Sequence, residues 1–187
     1  LVEYVDVLPT YIEAAGGTPD AVLDGKSLLP VLTGKATEHK RYVFGEMTTR
    51  GIINCSDTFG IRSIRSAKYK YIWNFTPEVP FQNACVKSAA FQSWIEAAAN
   101  DTDAADKVQR YQHRPGEELY DVTKDRYEWT NLADDPAYAD IKAELRAELL
   151  AWMKACGDKG QQTELEAREH QGGGKKKATN PKKQKAS

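Results

Sequence analysis

Hydrophobic positions change period several times along this chain, and each change marks an element. Val5, Leu8, Ile12 and Ala15 recur at helical spacing, with Pro9 suited to a first helical turn and Gly16-Gly17 to its end. A second short helix is predicted from Ser27 to Thr33, between Asp24-Gly25 and Gly34. Both are apolar on one side and need a larger body to pack on. The pattern then turns to strands. The run from Arg41 to Met47 is rich in aromatic and β-branched residues. The run from Phe59 to Arg65 alternates, but Phe59, Ile61 and Ile64 slip by one position, which predicts a bulge or twist. Ser66-Ala67-Lys68 is a tight connection into a run where Tyr69, Tyr71, Trp73 and Phe75 share one face, so the pair predicts a β-hairpin.

Helical spacing returns at Phe91, Trp94, Ile95 and Ala98, and Asp103 to Tyr111 has room for another turn or two. Glu117-Glu118-Leu119-Tyr120-Asp121 reads as a fourth short strand. Asp134-Asp135-Pro136 opens the longest helix, from about Ala137 to Ala155. Its apolar stripe is Ile141, Leu145, Leu149, Trp152, Met153 and Cys156, which places Cys156 in the core as an inert thiol, and Gly157 ends it. Four strands in hairpin order and one long amphipathic helix predict an α+β fold: an antiparallel sheet of about four strands with the helix across one face. No internal repeat is present.

Composition changes this picture at one end. The 187 residues carry a formal net charge of −1, but six lysines (Lys175, Lys176, Lys177, Lys182, Lys183, Lys185) lie beyond Gly172-Gly173-Gly174 with no acid among them. Upstream remain 20 basic and 27 acidic residues, a net of −7. The segment from 161 to 187 is therefore expected to be a polar, Lys-rich, disordered tail on an acidic globule. That balance counts against nucleic acid as a partner. No stretch approaches the roughly 20 apolar residues of a membrane span, and no secretory leader is visible in the first residues. Cys55, Cys85 and Cys156 are too few and too scattered for a disulfide scaffold.

Candidates for chemistry are sparse. His39, His113 and His170 sit in polar segments without metal-ligand spacing and read as ordinary surface residues. Asp101, Asp103 and Asp106 imitate the start of a calcium loop but lack its sixth-position glycine and twelfth-position acid. Cys55 stands near Asp57, whose charge would raise a thiol pKa rather than activate it. Asn54, Asn74 and Asn100 open glycosylation tripeptides, which chance also produces. The polar loop after the first strand is different. Arg50 stands there with Thr48, Thr49 and Asn54, and a guanidinium fork beside hydroxyls and an amide suits a sulfate, a carboxylate or sugar hydroxyls. Pairing of Arg50 with Glu46 or Asp57 is the competing reading. Arg62 and Arg65 on the next strand are expected in sheet-surface ion pairs.

Three stretches resemble the C-terminal region of sulfatases. Val5-Asp6-Val7-Leu8-Pro9-Thr10 with Asp24-Gly25-Lys26-Ser27-Leu28 is similar to the family's helix and "DG-x-S" segment. Gly60 to Ile72 is similar to its Arg- and Lys-bearing hairpin. Glu117 to Pro136, containing Glu118-Leu119-Tyr120-Asp121 and Asn131-Leu132-Ala133, is similar to its long "ELYD … NLa" motif. With Phe81 to Ile95 and the Arg50 loop between them, the chain most resembles the N-sulfoglucosamine sulfohydrolase (heparan N-sulfatase) branch. The likeness runs from about Val5 to Gly157.

The resemblance implies three parts: residues 1–37 as the end of the family's alkaline-phosphatase-like α/β domain, 38–160 as the C-terminal subdomain, and 161–187 as the tail. It also implies a parent enzyme that hydrolyses sulfate esters or sulfamates of sulfated sugars, in the periplasm or outside the cell. The family's formylglycine arises in a C/S-x-P-x-R motif and its calcium is held by N-terminal acids. Neither pattern occurs here, so calcium and formylglycine are expected in a catalytic domain outside this chain. No catalytic and no metal-binding residue is assigned to the chain itself, and alone it is expected to be inactive. Its expected partners are that domain and a sulfated saccharide, with apolar surface around Leu8, Ile12, Leu28 and Leu32 left open to self-association. The alternative is a stand-alone module that binds carbohydrate or polyanion without catalysis.

Overall fold

The computed structural model describes residues 1–49, 55, 56 and 58–170. Four strands, β1 (Val43–Met47), β2 (Ile61–Arg65), β3 (Tyr69–Asn74) and β4 (Glu117–Asp121), form one sheet in the order β1-β2-β3-β4, each antiparallel to its neighbour. Among the described residues six α-helices accompany them: α1 (Val7–Ala14), α2 (Leu29–Leu32), α3 (Ala89–Ala97), α4 (Thr102–Gln112), α5 (Ala139–Ala155) and α6 (Gln161–His170). The α+β expectation holds, with α5 across one face of the sheet.

The register shows why that face is apolar. Ile64 stands opposite Tyr71, and Tyr71 opposite Leu119, so three buried side chains from adjacent strands form one row. Leu145, Leu149 and Met153, at successive turns of α5, close on that row. Phe44 of β1 stacks on Trp152 at 4.9 Å between ring centroids. Tyr69, Trp73 and Phe75 pack around the same core, as their shared parity requires.

Two details differ from expectation. The ladder from Ile61 to Arg65 is continuous with both neighbours, so no bulge interrupts β2. Phe59 lies before the strand, where its ring meets Phe81 edge-on at 5.2 Å, and this removes the apparent slip in the pattern. Cys156 is exposed as the C-terminal cap of α5, past the helix's last residue Ala155 and outside the core formed by Leu145, Leu149 and Met153.

The expected tail begins as structure. Residues 161–170 form α6, and Glu164 on it is 2% exposed. A polar composition concealed this because α6 is held by charge rather than by an apolar stripe. The six tail lysines lie outside the described residues.

Candidate functional site

The connection between β1 and β2 carries the residues whose chemistry suits an oxyanion, and its two ends are fixed by hydroxyls. Thr49 is fully buried. Its Oγ1 accepts from the Phe59 amide at 2.8 Å and donates to the Phe59 carbonyl at 3.1 Å, closing the loop at its base. Further along, the Ser56 hydroxyl donates to the Pro80 carbonyl and accepts from the Gln82 amide, both at 2.9 Å, while the Ser56 amide donates to the Gln82 carbonyl. Thr48 donates to Glu164 Oε2 at 2.6 Å. Both threonines thus have protein partners. Arg50 and Asn54 lie outside the described residues.

Beneath this loop sits a buried ion trio. The Arg62 side chain is 3% exposed; its Nε donates to Asp158 at 2.5 Å and its Nη2 to Glu164 at 2.8 Å. Its Nη1 donates to the Ile61 carbonyl at 3.0 Å, and the guanidinium lies over the Phe75 ring. Arg62 is therefore not a sheet-surface residue as the sequence suggested. It points to the α5 side, with the parity of Ile64, and α6 supplies the acid that covers it. Burial alone would lower its pKa, and the two carboxylates outweigh that and raise it. Gly60 permits the approach of α6, since a Cβ there would stand 2.5 Å from Glu164 Cγ and 2.7 Å from Phe75 Cδ2. Sequence reading missed Asp158 and Glu164. The available signal was the buried arginine they must neutralise, which is visible only once Arg62 is placed on a strand with known parity.

The N-terminal segment is anchored by a second polar cluster. Asp6 is fully buried and accepts from the Lys26 amide at 3.0 Å, the Glu3 amide at 2.8 Å and Lys40 Nζ at 2.8 Å. Burial pushes its pKa up, but these donors prevail and hold it at about 2. His39 Nε2 lies 3.1 Å from Asp6 with its side chain 7% exposed, so His39 is not the surface residue expected. Gly25 lies so close to the chain at Val5 that a Cβ would stand 1.9 Å from the Val5 carbonyl oxygen. The Asp-Gly pair at 24–25 is thus a packing requirement.

The third sequence motif closes the sheet. Asn131 Oδ1 accepts from the amides of Leu119 and Ala133, its Nδ2 donates to the Glu117 carbonyl, and the Leu132 amide donates to the Leu119 carbonyl. The outer edge of β4 is therefore occupied by the chain leading to α5. Asp121 accepts from both amide and hydroxyl of Thr123 and shapes the turn out of the strand.

Among the described residues no three His, Cys, Asp or Glu side chains converge to hold a metal ion, and no helix is long and apolar enough to cross a membrane. The acids in both clusters are taken by lysine, arginine and backbone donors, so the residues present do not fit a calcium site. No C/S-x-P-x-R sequence is present to become formylglycine.

No family model matches the chain. An ulvan-active sulfatase from Formosa agariphila is 42% identical over 159 residues, which are 84% of this chain and 30% of that protein. The human N-sulphoglucosamine sulphohydrolase is 28% identical over 166 residues, 81% of this chain and 32% of that protein. The solved structure of a 2-O GAG sulfatase superposes with a TM-score of 0.56 at 27% identity, covering 88% of this chain and 26% of the other. The chain thus spans about a third or less of the proteins it matches.

Proposed function

Because this chain is homologous to the C-terminal region of the sulfatases, we propose that it is the part of such an enzyme that completes the fold and forms one wall of the substrate cleft. The reaction is hydrolysis of a sulfate ester or sulfamate on a sulfated saccharide. The observation that carries the reading is the match of the chain to sulfatases over 84% of its length. Identity is higher to the ulvan-active relative than to the N-sulphoglucosamine enzyme, which favours a sulfated polysaccharide of the ulvan kind over an N-sulfated sugar. Such polymers are met in the periplasm or outside the cell, and the enzyme is placed there.

Arg50 and Asn54 are assigned to the saccharide, on a loop whose base is stapled by Thr49 and whose stem is tied to α6 by Thr48. A guanidinium can pair with two sulfate oxygens at once, which sets orientation as well as affinity. Formylglycine and calcium supply the reaction centre in a catalytic part not contained here. This chain's own contribution is to bind and orient the sugar, and the hydrolytic step is not routed through it.

The test compares hydrolysis of a sulfated ulvan oligosaccharide and of N-sulfoglucosamine by the 187-residue chain and by the protein extended upstream through its catalytic part. Activity is expected only in the extended protein. There Arg50→Ala should raise KM and lower kcat/KM about 10- to 100-fold, the size of a charge-assisted hydrogen-bond pair. Activity in the 187-residue chain alone would overturn the reading.

A further inference from the structure

The face of β3 and β4 turned away from α5 holds a groove of about 610 Å³, within the range of small-ligand sites. Ile72, Glu118 and Tyr120, which alternate with the core residues of their strands, line it together with α4 and residues 127–129. Its rim is aromatic and open: Trp94, Trp129 and Tyr127 are 48%, 49% and 75% exposed. Single exposed aromatics are ordinary, but three around one concavity are not explained by the core.

The rim is also held in place. Glu128 has φ of +57°, the one positive φ at a non-glycine among the described residues. Its carboxylate accepts from Lys70, and its carbonyl accepts from Arg110, which also donates to the Trp129 carbonyl at 2.6 Å and stacks on the Trp129 ring. A left-handed residue maintained by two cations is a conformation the surroundings impose, and it presents Tyr127 and Trp129 on either side of it.

Charge completes the picture. The groove's lining carries Lys70, Lys107, Arg110 and Arg114 against Glu118 and Glu128, with Lys70 paired to Glu128, Lys107 to Asp103 and Arg114 3.7 Å from Glu118, whereas the chain upstream of Lys175 carries a net charge of −7. Glu118 is shielded by Asn74 and Tyr120, and Arg114 Nε is buried without a hydrogen-bond partner among the described residues. Sugar rings present apolar C–H faces that lie against aromatic rings, and acidic groups on them seek cations.

We infer that this groove is an accessory binding site for a sugar unit of an anionic polysaccharide, additional to the Arg50 loop of the proposed reading. It rests on the proposed reading that the substrate is a sulfated saccharide, and it adds that the enzyme grips the polymer at a second place. Two attachment points on one polymer raise the local concentration of the next sulfate without new contacts at the reaction centre.

The experiment uses the 187-residue chain with its six tail lysines changed to serine, which removes polyanion binding by the tail. Ulvan is titrated in affinity electrophoresis and by tryptophan fluorescence, with neutral dextran as control. Ulvan should bind and dextran should not. Trp129→Ala should weaken ulvan binding about tenfold. Tyr127→Ala, at the most exposed rim position, should weaken it with no change in thermal midpoint. Unchanged ulvan affinity in both rim variants, absence of ulvan binding, or equal binding of dextran overturns the proposal. In the upstream-extended protein, Tyr127→Ala should raise KM for ulvan and leave hydrolysis of a sulfated monosaccharide as it was. Loss on both substrates would assign the groove to the catalytic part of the enzyme and also overturn the proposal. Failure of the sulfatase reading looks different: the unmutated extended protein hydrolyses neither substrate.

Discussion

Arg62 shows how much a single residue's position on a strand decides. Two carboxylates approach one buried guanidinium, and a partner left alone in that setting is an uncompensated charge. Arg62→Met should therefore destabilise the chain by about 3–5 kcal/mol in urea unfolding, whereas an exposed arginine would cost about 1 kcal/mol or less. Gly60→Ala should cost about 1–3 kcal/mol by forcing Glu164 of α6 and the Phe75 ring away from β2. Asp6 gives a pH signature. Its folded pKa of about 2 lies below its ordinary 3.8, so its contribution is complete above about 4 and disappears as pH falls towards 2. Thermal midpoints measured across that window should fall more steeply for the wild-type chain than for Asp6→Asn. Parallel slopes would show that the cluster around Asp6 does not anchor the N-terminal segment.

At the level of elements, the motif from Glu117 to Ala133 acts as a clasp. β4 is an edge strand, and Asn131 supplies the acceptor for the amide of fully buried Leu119. Asn131→Ala should cost about 1–3 kcal/mol, the penalty of a buried unsatisfied amide, and Asn131→Asp should recover most of it because the acceptor remains. Chemical denaturation of the two variants separates a hydrogen-bond role from a packing role. Helix α5 is more conventional: Leu149→Ala, at a fully buried position facing Ile64 and Tyr71, should cost about 2–5 kcal/mol. α3 and α4 begin at Ser88 and Asp101, whose side chains accept from amides of the first turn, as N-cap residues do. The α5 stripe was readable in the sequence except at its last position, whereas these two caps were not singled out there.

At the scale of the molecule, α1 and the residues before it leave a contiguous apolar side uncovered. Tyr4 is 96% exposed, and Val5, Leu8, Tyr11 and Leu32 are exposed as well. The segment's polar side is nevertheless anchored, since Glu3 accepts from the Phe44 amide and from Lys40. On the proposed sulfatase reading, the catalytic part of the enzyme would cover this open apolar side. The 187-residue chain on its own should then self-associate with rising concentration in sedimentation velocity, and Leu8→Ser with Tyr11→Ser should return it to monomer. A wild-type chain that stays monomeric throughout would argue against that assignment.

The sequence by itself determined the strand order, the α5 stripe up to Met153 and the resemblance to sulfatases. Each of these rests on local periodicity or on residues close together in the chain. Tertiary structure alone decided the burial of Arg62, His39 and Thr49, the docking of α6 and the aromatic groove. Every one depends on groups brought together from distant positions: Arg62 meets Glu164, Thr49 closes on Phe59, and Lys70 meets Glu128. Polar residues carry no periodic signature, because whether a charge is solvated or buried depends on what packs over it. Composition therefore assigned Glu164 to a solvated tail, and only the fold showed it covering the buried Arg62.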